Sequence, residues 1–203
     1  MIKKIFLDLG TNLGQGLREF EKKFSLLNNP EWKIFCFEPN NDIDLNSLFP
    51  NVNNIEYYNK AIWIEDTILK FRKQGHRHDK LIGLGSKIEC VEKKYNPSNC
   101  VYKIDNVEAI NFSDFLINLK CKYPKTSIYV KMDIEGAEFE VIDHLTKTGS
   151  INLIDELYCE CHGRFRFPLE LQKDEKIKNQ IFEIENSLKD KVEKYCVKFY
   201  FWD

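Results

Sequence analysis

The 203-residue sequence has no long apolar run, no excess of either charge and no Gly/Ser-rich linker, internal repeat or low-complexity tract. Charges punctuate every apolar segment, so nothing approaches the roughly 20 apolar residues of a bilayer span, and no membrane span is expected. Thirty Lys and Arg against 32 Asp and Glu leave a formal net charge of -2. That balance supplies no global positive field, which makes nucleic acid an unfavoured partner unless a local patch holds it. With no linker to divide it, the chain reads as a single domain over 1–203. The opening Met1-Ile2-Lys3-Lys4-Ile5-Phe6-Leu7-Asp8 lacks a secretory apolar core. Seven cysteines, an odd number, fit reduced thiols better than a disulfide framework, and the expected compartment is the cytoplasm.

What is present is a core. Hydrophobic residues make up 43% and aromatics 13% of the chain, far from a disordered composition. Lys4 to Leu9, Lys33 to Phe37, Ser127 to Asp133 and Leu157 to His162 are short, nearly continuous apolar runs, the pattern of strands buried on both faces of a parallel sheet. Between them the apolar spacing changes to three and four: Leu17, Phe20, Phe24 and Leu27; Ile110, Phe115, Leu116 and Leu119; Val141, Ile142 and Leu145; Ile177, Ile181, Ile184 and Leu188. Those are helix faces. Ile43 to Phe49 reads as a short helix, and Ile55 to Tyr58 running on through Ala61-Ile62 as one strand. Strands at Ile68 to Phe71 and Val101 to Ile104 flank a polar loop. Strands alternating with helices predict an α/β fold.

In such a fold ligands bind beyond the carboxyl ends of the strands, where the strand order reverses. The first of these ends is Asp8-Leu9-Gly10-Thr11-Asn12-Leu13-Gly14-Gln15-Gly16, with three glycines before a helix. Glycine lets backbone pass close to a ligand. Glu38 follows Gly16 by 22 residues at the end of the second strand, where a carboxylate can accept both ribose hydroxyls of a nucleoside. The glycine spacing departs from the Gly-x-Gly-x-x-Gly of pyrophosphate-bearing dinucleotides. It suits S-adenosylmethionine better, since that donor has no pyrophosphate and carries a sulfonium cation.

Three segments, Phe6-Leu7-Asp8-Leu9-Gly10-Thr11-Asn12-Leu13-Gly14-Gln15, Phe37-Glu38-Pro39-Asn40 and Val130-Lys131-Met132-Asp133-Ile134-Glu135-Gly136-Ala137-Glu138, resemble in order and spacing the FkbM-like branch of class I S-adenosylmethionine-dependent methyltransferases. The resemblance runs from about Ile5 to His162. It implies a Rossmann-like fold, a mostly parallel central sheet flanked by helices, and methyl transfer to a hydroxyl of a carbohydrate or other small polar acceptor. It places Asp8, Gly10, Asn12, Gly14 and Glu38 at the cofactor; Thr11, Pro39, Asn40, Ala61 and Asp133 are expected to complete the cofactor site. The tail after His162 has room for one convincing strand, which implies a shortened C-terminal hairpin.

Transfer of a methyl group to oxygen needs a base near the methyl. Asp133 is the first candidate, its competing reading being a helix N-cap. Glu135 and Glu138 stand next to it as acceptor-side supports. Glu160 and His162 alternate along the fifth strand and should point the same way, and the histidine titrates in the right range. Lys131, one step inside the fourth strand, could anchor a carboxylate from below. The Cys159-x-Cys161-His162 spacing argues against zinc, because no second ligand pair accompanies it, and no residue is assigned as a metal ligand. A divalent ion held by Asp133 and neighbouring carboxylates stays open. Lys70, Arg72, Lys73, His76, Arg77, His78, Lys80 and Lys87 gather in the irregular region. They form either a solvated face or a lip for an anionic acceptor, with Arg72 and Arg77 best suited to grip it. Two other functions remain: RNA cap 2'-hydroxyl methylation, with Lys131 and Asp133 in a tetrad, and a non-catalytic nucleoside-binding module.

Overall fold

The computed structural model describes residues 1–76, 86–88 and 100–202. In chain order its strands are Lys4–Leu9 (β1), Trp32–Phe37 (β2), Ile55–Tyr58 (β3), Ala61–Trp63 (β4), Thr67–His76 (β5), Lys87–Ile88 (β6), Cys100–Asn111 (β7), Ser127–Met132 (β8), Glu156–Cys159 (β9) and Lys198–Phe201 (β10). The α-helices are Gln15–Phe24 (α1), Leu45–Leu48 (α2), Phe112–Lys122 (α3), Glu138–Thr148 (α4) and Glu175–Glu193 (α5). Six strands form one all-parallel sheet in the order β10-β9-β8-β1-β2-β3. The order reverses at β1, whose neighbours are β2 on one side and β8 on the other. That reversal places a crevice beyond Leu9 and Met132.

Alternation along β1 shows why the sheet is covered on both faces. Ile5, Leu7 and Leu9 join the large core with Leu116 and Leu119 of α3, Val141, Ile142 and Leu145 of α4, and Leu188 and Val192 of α5. Phe6 points the other way, into a second core with Leu17 and Phe20 of α1, Ile34, Cys36 and Tyr158. Burial on both faces is why these strands read as continuous apolar runs.

The remaining strands build a four-stranded sheet in the order β4-β7-β5-β6. Its backbone is an antiparallel pairing of β5 with β7, from Thr67 opposite Ala109 to His76 opposite Cys100. Phe71, Val107 and Ala109 pack into the same large core as the parallel sheet.

Several elements differ from their expected form. The strand expected to run from Ile55 through Ile62 breaks at Asn59-Lys60, and its two halves join different sheets. Ile110 belongs to β7, opposite Ile62, so α3 begins only at Phe112, capped by Asn111. Helix α1 stops at Phe24 because Ser25 turns left-handed with φ +50°, leaving Leu27 outside it. At the far edge β10 pairs parallel with β9, so the sheet ends on a parallel strand and no hairpin follows among the described residues. Among those residues no helix is long and apolar enough to cross a membrane.

Helix α5 is tied to α4 by Asp143, which takes ion pairs from Lys147 at 2.5 Å and from Lys191. Hydrogen bonds from these two lysines lower its pKa to about 2. A depressed carboxyl stabilises the fold above the unfolded pKa near 4, and that stabilisation disappears as pH falls from about 4 to 2. Asp143 is 38% exposed, so screening keeps the effect under about 1 kcal/mol. Asp143→Asn is therefore expected to flatten the acid limb of a stability-versus-pH curve between about pH 4 and 2, read by urea denaturation, and to leave it parallel to the parent at pH 7.

Candidate active site

The crevice at the strand-order reversal is a cleft with an empty volume of about 540 Å³, counting its open mouth. Gly10, Asn12, Phe37, Glu38, Pro39, Ala61 and Asp133 line it, along with Glu135. Of the residues expected at a cofactor, Asp8, Thr11, Gly14 and Asn40 do not. Asp8 and Thr11 are fully buried, and the Thr11 hydroxyl donates to the Asp8 carbonyl at 3.1 Å. Gly14 is the N-cap of α1, packed against Phe49. Asn40 is buried and gives its backbone N–H to Glu38. These four shape the wall from behind.

Glu38 is the hinge of that wall. Its Oε2 accepts the Asn12 N–H and its Oε1 the Asn40 N–H, each at 2.8 Å, so one carboxylate joins the ends of β1 and β2. It is 6% exposed, and burial pushes its pKa up. Each oxygen keeps a second lone pair for a donor in the cleft. The cleft is also lined by residues that carried no functional signal in the sequence: Lys60, Ile62 of β4, Phe71 of β5, Ser86, and Ile88 of β6. Lys60 and Ile62 flank Ala61, and Ile134 lies beside Asp133 in the motif that follows β8. Phe71 and Ile88 reach the cleft from the second sheet.

Gly10 brings β1 and β8 together. Its φ is +77°, and a Cβ there would lie 1.8 Å from the Asp133 carbonyl oxygen. Beneath it sits Lys131, 1% exposed, paired in register with Asp8 on the α1 side of the sheet. Its ammonium donates to the Gly10 carbonyl at 2.8 Å and lies 3.4 Å from both Asp8 Oδ1 and Asp133 Oδ2. Burial opposes that charge, but Asp8 and Asp133 outweigh it and raise the lysine pKa. Lys131 thus lies beneath Asp133 and pairs with it without lining the cleft.

Asp133 does not cap α4. The N-cap residue is Ala137, and the free amides before the helix are taken by Glu138, which accepts Ile134 N–H and Gly136 N–H at 2.9 Å each. Glu138, expected beside an acceptor, is fully buried and holds this loop instead. Glu135 takes the left-handed φ of +55° and faces the cleft. Burial raises both cleft carboxyls, Asp133 above its ordinary range and Glu135 to about 7, with neighbouring carboxylates adding to the rise.

Glu160 and His162 do converge, though not by strand alternation. β9 ends at Cys159, and His162 arrives through the turn leading into a 3-10 segment, Gly163–Arg166. Its ring stacks on Phe165 and is 1% exposed. Nδ1 donates to Glu138 Oε1 at 3.0 Å, and Nε2 lies 3.3 Å from Glu160. Burial opposes its charge, yet Glu138, Glu160 and Glu135 lift its pKa well above 6.5. Cys159 and Cys161 stand with sulfurs 3.6 Å apart, and the buried Cys159 thiol is pushed far up. The ring turns to carboxylates rather than to these thiols.

The basic run divides. Lys73 is buried on Asp42 at 3.0 Å and Asp105 at 2.7 Å, so it is neither solvated nor available to an anion. Lys87 is 4% exposed with its ammonium 4.4 Å from the Phe165 ring. Arg72 lies in β5 opposite Lys87 and does not line the cleft. Arg77, His78 and Lys80 lie outside the described residues.

No curated protein and no solved structure matches the chain. A model of the methyltransferase FkbM domain does, over residues 8–195, a span that takes in Gly10, Glu38, Asp133 and His162 around the crevice. By that match the chain belongs to the FkbM methyltransferase family.

Proposed function

We propose that the chain transfers a methyl group from S-adenosylmethionine to a hydroxyl of a carbohydrate or similar small polar acceptor. The observation that carries this reading is the opening of Glu38 and Asp133 onto one cleft at the strand-order reversal. The residues present fit the donor: a buried carboxylate with spare lone pairs beside apolar walls of Phe37, Ile62, Phe71 and Ile88 suits a nucleoside, and Asp133 and Glu135 suit a cation. When bound, the donor supplies a methyl group on a sulfonium, which an in-line oxygen can take.

Glu38 holds the nucleoside hydroxyls through its free lone pairs. Asp133, 22% exposed at the cleft, would take the acceptor's proton, and the donor, when bound, would supply the methyl group and leave as a neutral thioether. Lys131 keeps Asp133 in place. His162, buried and held charged, positions the carboxylates rather than serving as a neutral base. Burial of Lys131 weakens the RNA cap alternative, because the lysine is 1% exposed, donates to the Gly10 carbonyl and does not line the cleft.

Calorimetry with S-adenosylhomocysteine tests the reading. Binding in the micromolar range, about -8 kcal/mol, is expected, and Glu38→Ala should weaken it by about 1.5–3 kcal/mol. Binding of NAD with none of S-adenosylhomocysteine would overturn it. In a methyl-label assay on an active acceptor, Asp133→Asn is expected to lower turnover about 100-fold while S-adenosylhomocysteine affinity stays within a few fold. Full activity in that variant would remove Asp133 from the chemistry.

A further inference from the structure

Three carboxylates surround His162 Nε2 without closing on it. Glu160 Oε1, Glu135 Oε2 and Asp133 Oδ1 lie at 3.3, 3.4 and 3.9 Å. All three distances exceed the roughly 2.7–2.9 Å of a charge-assisted N–H···O bond. The other ring nitrogen is tied down: Nδ1 donates to Glu138 at 3.0 Å, and Glu138 is itself fixed by two backbone amides in full burial. A buried carboxylate gripping one nitrogen, so that the lone pair of the other points into a ligand set, is how metal-binding histidines are oriented.

The set itself has the right span. One atom each from Asp133, Glu135 and His162 lie within 4.8 Å of one another. Two ligands about 2.1 Å from a shared ion, at angles of roughly 90–110°, are about 3.0–3.4 Å apart, so only small side-chain closure is needed. Charge is compatible with it. Asp133, Glu135, Glu138 and Glu160 meet around the His162 ring, with Lys131 beside Asp133 and Arg164 beside Glu160, and an ion taking Nε2 would replace the proton that the ring carries there without it.

We propose that Asp133, Glu135 and His162 bind one first-row divalent cation of the Mn²⁺ type at the cleft, with Glu160 against it. Mixed imidazole and carboxylate donors suit such an ion better than Mg²⁺ or Ca²⁺, which take oxygen. Asp133 and Glu135 line the cleft, so the ion's remaining positions face an entering oxygen. Its use in holding an acceptor hydroxyl rests on the methyl-transfer reading; its binding does not.

The test is titration of the purified chain with Mn²⁺, following the free-ion electron paramagnetic resonance signal, with S-adenosylhomocysteine affinity measured in parallel. One ion per chain is expected, with affinity weakened about tenfold or more in Glu135→Gln and again in Asp133→Asn, each variant melting cooperatively. Wild-type chain that leaves all Mn²⁺ free at millimolar concentration overturns the site, and so does binding that both variants retain. Variant-sensitive Mn²⁺ binding without S-adenosylhomocysteine binding upholds the ion site and removes the methyl-donor reading instead.

Discussion

Lys131→Met is expected to destabilise the fold by about 3–5 kcal/mol, the cost of leaving a buried charge without its partner. Asp8 is 0% exposed, lies 3.4 Å from the lysine ammonium, and takes no side-chain hydrogen bond among the described residues. Methionine fills much of the same volume but abandons that carboxylate and the Gly10 carbonyl together. At about 2–4 °C per kcal/mol for a chain of this size, the melting temperature should fall by roughly 6–20 °C. The double change Lys131→Met with Asp8→Asn removes the stranded charge and should recover more than half of the loss. A single variant that melts within about 2 °C of the parent would show that the pair is not coupled in this way.

Gly10→Ala should cost about 2–5 kcal/mol and weaken S-adenosylhomocysteine binding with it. A left-handed φ of +77° costs a residue with a Cβ about 1–2 kcal/mol, and pushing the Asp133 carbonyl away adds about 1–3. Gly149 separates the two contributions. Its φ is +76°, and a Cβ added there would meet nothing within 4 Å, so Gly149→Ala should show the backbone cost alone, about 1–2 kcal/mol, and unchanged ligand affinity. Equal losses in both variants would mean that the contact between the ends of β1 and β8 contributes nothing.

The parallel sheet was legible because β1, β2 and β8 are buried on both faces, and such strands announce themselves as unbroken apolar runs. The second sheet was not. β5 and β7 alternate apolar with charged side chains, and their pairing is set by a partner far along the chain, so Ile68 to Phe71 and Val101 to Ile104 showed only the middle of much longer strands. Ile110 fell at helical distance from Phe115 by coincidence of spacing, while its actual neighbour is Ile62. At the site, Gly10, Glu38 and Asp133 were found because strand ends are fixed by sequence order. The division of labour among the carboxylates was not, since nothing local distinguishes Glu138, folded back on Ile134 and Gly136, from Glu135, turned outward by a positive φ. Phe71, Ser86 and Ile88 carry no mark of the cleft they line.

The central position of β1 also governs when the sheet can assemble. On one side Lys4 pairs with Trp32, a short crossover away; on the other it pairs with Ser127, through a loop more than four times longer. By loop-closure entropy the second joint costs about 1.3 kcal/mol more than the first, and it must wait for most of the chain to be made. Until β8 arrives, β1 and β2 present an exposed apolar ladder edge, and Asp8 lacks the lysine that compensates it. During synthesis the amino-terminal third is therefore the aggregation-prone intermediate, and arrival of Ser127 to Met132 both closes that edge and neutralises the buried acid in one event.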